Sequence, residues 1–218
     1  MTRKFKTLGL VLVSVLALSA IGASGASAAT EFHYETSPVT LTGSQEGESN
    51  AFDVQFGEVK CGIAKYTGKT PTGTVDITIT ISVLFENCTF AGVASTVDLN
   101  GCHFLIHLQN VPVPFLIIID VVCPAGQEIT VTGGTKCTLH IPAQTGLGPA
   151  TVTNIGAGTT REVTAALAGI QNITYTQTPG TGIGKCSSVT SSTGKYTGTS
   201  TFTGENEAGT AHIGVFVA

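Results

Sequence analysis

The sequence predicts an all-β protein, an antiparallel sandwich or barrel-like fold stabilised by disulfides, after an N-terminal signal peptide. Of the 218 residues, 35 are threonine, which favours strands, and 27 are glycine. Apolar and polar residues alternate over several short segments, and turn signals separate these segments. All 6 cysteines follow an export signal, and an even number of cysteines in an oxidising compartment favours disulfides.

The low charge of the chain excludes several classes of protein. Only 11% of the residues are charged, too few for a coiled coil or a charge-rich disordered tail. The 10 basic residues stand against 14 acidic ones, so the chain has no basic surface for nucleic acid. We therefore expect an extracellular ligand or protein as partner, of unknown identity, and no nucleic acid.

Residues 1–28 have the parts of a secretory signal peptide. Three basic residues precede an apolar run at 8–21, and Ala26-Ser27-Ala28 fits the small-residue cleavage pattern. The run is shorter than the roughly 20 apolar residues that a membrane-spanning helix needs. We expect cleavage after Ala28, secretion and no membrane anchor afterwards. Cleavage removes three of the 10 basic residues and none of the 14 acids, which leaves a net charge of −7.

The remaining residues, 29–218, are predicted to form a single all-β domain. Within it, segments 86–109 and 121–144 resemble each other, because each contains two cysteines fourteen positions apart with similar neighbours. Internal duplication is one interpretation, and chance similarity in a chain rich in glycine and threonine is the other.

The spacing of the cysteines leaves their pairing open, because six cysteines can pair in many ways. If each similar segment closes on itself, the predicted pairs are Cys88–Cys102, Cys123–Cys137 and Cys61–Cys186. A straight strand between Cys88 and Cys102 would hold them too far apart, since a disulfide needs Cα atoms within about 7 Å. Either residues 89–101 therefore double back, at a turn such as Ala91-Gly92, or the cysteines pair across the segments instead, 88 with 123 and 102 with 137.

The clearest strand is predicted at residues 75–85, where six apolar residues at alternate positions form one face. Asn100-Gly101 is the strongest hairpin signal, and it joins a strand predicted at 94–99 to one at 102–109. Gly133-Gly134 predicts a second hairpin turn, between strands at 128–132 and 135–141.

Residues 115–122 are apolar at every position except Asp120, which predicts a buried central strand after a proline-containing breaker. Residues 163–168 could form a short helix instead of a strand. Residues 43–50 and 178–184 are predicted loops. Later strands are predicted at 149–154, 161–168, 171–177, 194–204 and 211–217.

The residue pattern contains no recognisable catalytic set, so we predict that the protein is not an enzyme. The expected mature chain lacks the G-x-S-x-G motif, and paired cysteines leave no odd thiol as a nucleophile. Asp120 is the best candidate for a functional buried carboxyl, and a hydrogen-bonded structural residue is the alternative. Asp76, Asp98 and Asp120 all fall in predicted strands, and two facing carboxyls would permit glycoside chemistry.

No metal site or cofactor is predicted. The sequence has no C-x-x-C or H-E-x-x-H pattern. His103 and His107 share one face of a strand, but a strand places them about 13 Å apart, too far to bind the same ion.

Short blocks of the sequence resemble a group of secreted, threonine- and glycine-rich, cysteine-containing proteins of soil actinobacteria. The blocks include Leu99-Asn-Gly-Cys102, Val121-Val-Cys-Pro-Ala-Gly126 and Ile155-Gly-Ala-Gly-Thr-Thr-Arg161. The group has no assigned activity, so the resemblance implies bacterial export and β structure and implies no chemistry.

Together these features favour a secreted, non-catalytic β-protein with a structural or extracellular binding role. The alternative is a secreted hydrolase, or a hydrolase inhibitor, with an unrecognised site. Two carboxyls that converge in a cleft near Asp120 would favour the enzyme. A continuous threonine-covered sheet face without a cleft would favour binding or structure.

Overall fold

The structure, a computed structural model, describes residues 29–70, 73–111 and 113–218, so the predicted signal peptide lies outside the described residues. The prediction of an all-β, antiparallel, disulfide-stabilised fold is confirmed. Among the described residues, the helical structure consists of one 3₁₀ turn, Gly158–Thr160. That part of the chain contains no helix of the length and hydropathy needed to cross a membrane.

The described chain forms short and long strands, and several predicted segments merge into longer ones. Residues 43–50, predicted as a loop, continue a strand, and the predicted strands at 161–168 and 171–177 are a single strand, so no helix forms at 163–168. In chain order the strands are β1 (Phe32–Tyr34), β2 (Val39–Val54), β3 (Gly57–Lys69), β4 (Val75–Asp76), β5 (Thr78–Phe90), β6 (Val93–Asp98), β7 (His103–Leu108), β8 (Phe115–Val122), β9 (Ile129–Gly133), β10 (Cys137–Ile141), β11 (Gln144–Ile155), β12 (Glu162–Pro179), β13 (Val189–Asn206), β14 (His212–Ile213) and β15 (Val215–Val217).

Most of the strands form one sheet that closes on itself. Neighbours pair in the order β13, β2, β3, β5, β7, β8, β11 and β12, and β12 pairs again with β13. Closure of a sheet removes its exposed edges, and alternate residues of each strand then point into a common interior. Of the two predicted alternatives, a sandwich and a barrel-like fold, this closed ring of strands corresponds to the barrel-like fold.

One side of the ring consists of two half-walls. The first half-wall is β7, β8 and β11, and the second is β6, β9 and β10. Strand β5 pairs with β7 through residues 78–81 and with β6 through residues 88–90. Strand β12 likewise pairs with β11 through residues 162–166 and with β10 through residues 176–179. The long strands on the opposite side therefore hold both half-walls in one ring.

The Asn100-Gly101 turn forms, but the hairpin predicted from it is wrong. Both residues have positive φ angles, 49° and 80°, and the Cys102 N–H donates to the Leu99 carbonyl at 2.8 Å. Strand β6 then pairs with β5 and β9, whereas β7 pairs with β5 and β8. The turn thus carries the chain from the second half-wall to the first. The hairpin predicted at Gly133-Gly134 is confirmed by the pairing of β9 with β10.

The strand predicted at residues 75–85 is divided between two sheets. Ile79 and Ile81 are buried inside the ring, as the alternation predicts. Val75 and Ile77 are 42% and 60% exposed, because the chain around them leaves the ring and pairs with β1 instead. Periodicity in the sequence therefore identified the inward face correctly only for the part of the segment that lies in the ring.

A small sheet of β15, β1 and β4 packs on one end of the ring. Phe32 and Val215 from this sheet are both 3% exposed, and they belong to the same buried apolar cluster as Leu41, Val152 and Phe202 of the ring. Apolar contacts of this kind close the end of the interior against water.

The disulfides join strands that are neighbours in space rather than segments that are similar in sequence. The bonds are Cys61–Cys88, Cys102–Cys123 and Cys137–Cys186. The predicted pairs Cys88–Cys102, Cys123–Cys137 and Cys61–Cys186 are wrong, and so is the alternative pairing of 88 with 123 and 102 with 137. The reason is register: β3 and β5 place Cys61 directly opposite Cys88, with 3.9 Å between their Cα atoms.

The two similar segments, 86–109 and 121–144, also differ in how their strands pair. In the first segment, β6 and β7 belong to different half-walls. In the second segment, β9 and β10 form a hairpin within one half-wall. The internal duplication stays a prediction that these pairings do not support.

Candidate functional site

The interior of the ring contains a cavity of about 150 Å³. Inward side chains of the long strands and of both half-walls form its wall, including Ile81, Ile119 and Ile129. The aromatic rings at the wall belong to Phe52, Tyr66, Phe85, Phe104, Tyr196 and Phe202. A closed ring of about eight strands has an interior that either fills with side chains or holds one small ligand, and this interior leaves space for a ligand.

The sequence analysis did not identify this cavity as a site, although its residues follow a visible pattern. Ile81, Val83 and Phe85 lie on the apolar face predicted for residues 75–85, and all three reach the cavity. Ile117, Ile119 and Val121 come from the predicted strand at 115–122 and also line the space. Alternation shows which side chains share a face, but only the closed sheet shows that these faces meet around one cavity.

The wall of the cavity is almost entirely apolar. Among the described residues at the wall, only Asn50, Tyr66 and Tyr196 carry an amide or hydroxyl group, and none carries a charge. Apolar cavities of about 150 Å³ in proteins stay dry and accept benzene or xenon. The arrangement is therefore suited to holding a small apolar molecule.

The polar groups of the three wall residues lie close together, and Asn50 Oδ1 is buried without a hydrogen-bond partner. Asn50 is 2% exposed, and its Nδ2 donates to Gln45 Oε1 at 2.9 Å and to the Tyr66 hydroxyl at 3.4 Å. The Tyr66 hydroxyl is a close neighbour of Tyr196, and burial together with this neighbour raises the pKa of Tyr196 well above its usual value. The Asn50 Oδ1 atom lies over Gly198, in the space that a side chain there would occupy.

A local irregularity in β2 brings Asn50 inside the ring. The register between β2 and β3 shifts between Ser44 and Asn50, and the pairing with β13 shifts nearby. Such a bulge re-aims the side chains beside it. The glycine- and glutamate-rich segment that the sequence marked as a loop is therefore the part of β2 that positions the polar group of the wall.

Asp120, the carboxyl that the sequence singled out, lies on the outer face of the first half-wall. Its Oδ2 is 3.0 Å from His107 Nε2, and its Oδ1 accepts the Gly146 N–H at 2.8 Å. The other ring nitrogen of His107 is hydrogen-bonded to Thr78 Oγ1 at 3.1 Å. Asp120 thus connects β8, β7, β5 and β11 through hydrogen bonds, which fits the structural interpretation of this residue.

The second half-wall has a similar chain of hydrogen bonds on its outer face. His140 is bonded to Glu128 Oε1 at 2.7 Å through Nδ1 and to Thr178 Oγ1 at 3.2 Å through Nε2. The same sequence of groups, a carboxylate, an imidazole and a threonine hydroxyl, therefore links neighbouring strands on both half-walls. None of the side chains in these two series of hydrogen bonds lines the interior cavity.

The three strand carboxyls that would permit glycoside chemistry if they faced one another lie in different parts of the fold. Asp76 is opposite Phe32 in the end sheet, Asp98 is opposite Thr130 in the second half-wall, and Asp120 is in the first half-wall. Asp98 accepts the backbone N–H of Asn100 at 2.8 Å and so supports a turn. The structure does not bring these carboxyls together.

The end sheet contains a buried polar pair. Burial raises the pKa of the Tyr34 hydroxyl, and the nearby Asp76 carboxylate raises it further. Burial also raises the pKa of Asp76 above its ordinary value. Both Tyr34 Oη and Asp76 Oδ2 are enclosed without a protein hydrogen-bond partner. This pair lies at β1 and β4, away from the wall of the interior cavity.

Histidines and acids of the described chain form no cluster of three or more groups that could hold a metal ion. His103 and His107 lie on the same strand, β7, opposite Val122 and Ile118 of β8. Both histidines lie on one strand, and this is the arrangement for which the sequence analysis expected them to be too far apart to bind the same ion.

Threonine hydroxyls cover the outer face of the long strands. Thr42 and Thr203 bond across β2 and β13 at 3.0 Å, and Thr164 and Thr201 bond across β12 and β13 at 3.1 Å. Hydroxyl pairs of this kind stabilise neighbouring strands. Pairs of threonine hydroxyls thus link neighbouring long strands on the outside of the ring.

A scan against protein-family models and searches of the curated proteins and of the solved structures found no match to this chain.

Proposed function

We propose that this protein is secreted and binds a small apolar molecule in the interior cavity of its ring. The observation that carries the proposal is the cavity itself, about 150 Å³ lined by apolar side chains from both half-walls and the long strands. The proposed role is binding rather than catalysis, because the described wall residues carry no charge and include no serine, histidine or free thiol.

The energetics of an empty cavity support the proposal. Protein interiors are normally packed as densely as organic crystals, and each Å³ of unfilled cavity lowers stability by about 24 cal/mol. A cavity of about 150 Å³ therefore lowers the free energy of unfolding by about 3 to 4 kcal/mol when it is empty. This loss is a large part of the approximately 5–15 kcal/mol by which a typical domain is stable. A ligand that fills the space recovers the lost contacts.

The export features of the sequence support an extracellular setting for this role. Residues 1–28 have the pattern of a cleaved signal peptide, and the three disulfides suit an oxidising compartment. Expression of the full chain in a bacterial host, followed by N-terminal sequencing of the exported product, tests this part. The expected product begins at Ala29, and a product that stays in the cytoplasm with residues 1–28 attached would contradict it.

Calorimetric titration of the oxidised 29–218 chain with toluene tests ligand binding. The expected result is saturable binding with one site and a melting temperature that rises with toluene concentration. Toluene is used as a probe because it is apolar and of a size that such a cavity accepts.

A matched pair of variants separates binding in the cavity from binding on the surface. Ala165→Leu adds a larger side chain to the wall, so we expect binding to weaken at least about tenfold while the protein stays folded. Ala94→Leu adds the same atoms at an exposed position of β6 and should leave binding unchanged. Equal binding by both variants, or no saturable binding by the parent protein, would contradict the proposal.

A further inference from the structure

We infer that the molecule held in the cavity is an uncharged hydrocarbon of about one ring in size, without a hydrogen-bonding group. This inference rests on the proposed function and adds the chemical class of the ligand. It follows from three properties of the wall: the absence of charge among its described residues, the enclosure of its few polar groups by neighbouring atoms of the protein and the limited volume.

The first property excludes charged ligands. The described wall residues include no aspartate, glutamate, lysine, arginine or histidine. A carboxylate or an ammonium group inside such a wall would lose its hydration without gaining a partner, which is very unfavourable. Fatty acids and amines are therefore poor ligands unless their charged end stays outside.

The second property excludes ligands with a hydroxyl or amide group. The Asn50 amide nitrogen bonds to Gln45 and approaches the Tyr66 hydroxyl, which is a close neighbour of Tyr196. The remaining Asn50 oxygen is enclosed against Gly198 and exposes no surface to a ligand. A ligand hydroxyl would thus lose its bonds to water and could replace them only by displacing these contacts.

The third property limits the size of the ligand. The cavity has about 150 Å³, and an apolar cavity of similar volume accepts a molecule such as benzene. Phenylalanine rings at the wall, among them Phe52, Phe85 and Phe104, provide surfaces for edge-to-face or offset contacts with an aromatic ring. A single-ring hydrocarbon therefore fits both the volume and the surface of the wall.

Three probes of similar size test the inference by calorimetric titration of the oxidised 29–218 chain. Phenol and toluene differ by a hydroxyl in place of a methyl group, and benzoate carries a charge. We expect toluene to bind at least about tenfold more tightly than phenol and benzoate not to bind measurably. Phenol or benzoate binding as tightly as toluene would overturn the inference while leaving the proposed function in place. Failure of all three to bind would instead contradict the proposed function.

A pair of tyrosine variants tests the reason for this discrimination. Tyr196→Phe removes the hydroxyl beside Tyr66 and leaves the Tyr66 hydroxyl available to a ligand, so phenol should gain affinity and the preference for toluene should fall several-fold. Tyr175→Phe removes a hydroxyl that accepts the Gln55 N–H and does not line the cavity, so the preference should not change. Equal preference in Tyr196→Phe and the parent protein would show that the proximity of the wall hydroxyls does not set the selectivity, and would overturn that step.

Discussion

The side-chain amide of Asn154 pairs with the backbone of Val217 through two hydrogen bonds. Asn154 Nδ2 donates to the Val217 carbonyl at 2.7 Å, and the Val217 N–H donates to Asn154 Oδ1 at 2.8 Å. Gln144 uses the same device on Thr174, with hydrogen bonds of 3.1 and 2.8 Å. In each case a side chain of β11 replaces a backbone partner where two strands separate. Asn154 thereby holds the end sheet on the ring, and Gln144 binds β12 between its contacts with β11 and β10.

Asn154→Ala should loosen the end sheet. The substitution leaves the buried backbone groups of Val217 without partners, which lowers the free energy of unfolding by about 1–3 kcal/mol. Urea denaturation measures this change, and hydrogen exchange at Val217 should become faster. Asn110→Ala, at an exposed position, serves as the control. An unchanged midpoint for Asn154→Ala would show that the pair does not hold the end sheet.

Replacement of Cys102 and Cys123 by serine should destabilise the region where the chain crosses between the half-walls. Their disulfide closes a loop with a sequence separation of 21 residues, for which chain entropy predicts a loss of about 3 kcal/mol. Thermal or urea unfolding of the double variant measures the loss.

Peptide mapping of the unreduced protein checks the same disulfide directly. It should recover Cys102 linked to Cys123 and Cys61 linked to Cys88. A recovered peptide with Cys88 linked to Cys102 would be incompatible with the fold described for this chain.

Asp76→Asn should stabilise the protein at neutral pH. Burial raises the pKa of Asp76, so the folded state favours the protonated carboxyl. The contribution of Asp76 to the free energy of unfolding is largest below the pKa of an aspartate in the unfolded chain, about 4. This contribution is lost as the pH rises through the higher pKa of Asp76 in the folded state. The variant should therefore be more stable than the parent at pH 7, by less than about 1 kcal/mol, and equally stable near pH 3. Urea denaturation at several pH values measures the difference, and a constant difference across this range would contradict the mechanism.

Tyr196 should weaken the protein in alkali. Burial and the Tyr66 hydroxyl raise the pKa of Tyr196 well above 10.0, so the folded state favours the neutral phenol. The contribution of Tyr196 to stability is constant at pH values below the pKa of a tyrosine in the unfolded chain. It falls as the pH rises above that pKa. Tyr196→Phe should accordingly lose less stability between about pH 9 and pH 11 than the parent protein does. Absorbance at a phenolate wavelength gives an independent measure, since Tyr196 should ionise only when the protein unfolds.

Local patterns in the sequence predicted the strands well, because alternation depends only on neighbours along the chain. Ile79 and Ile81 point inward as their spacing requires. The Asn100-Gly101 turn also forms with the positive φ angles that these residues tolerate. The pairing beyond that turn could not be predicted, because the strands that follow and precede it find different partners in the half-walls.

The cavity and its polar residues were less accessible to sequence reasoning. Asn50 lies in a segment whose composition is typical of a loop, and only pairing with β13 and β3 keeps it in a strand and inside the ring. Asp120 drew attention as a carboxyl in an apolar strand, but its partners His107 and Gly146 come from other strands and make it a structural residue.

The sequence alone was enough to assign the β class, to predict an export signal and to show that there are enough cysteines for three disulfides. Each of these depends on composition or on a short-range pattern. Ring closure, the pairing of Cys61 with Cys88 and the apolar cavity depended on the tertiary structure. The physical reason is that each of these requires residues far apart in the chain to meet. Strand register, which brings them together, is set by the summed burial of whole strand faces rather than by any one local signal.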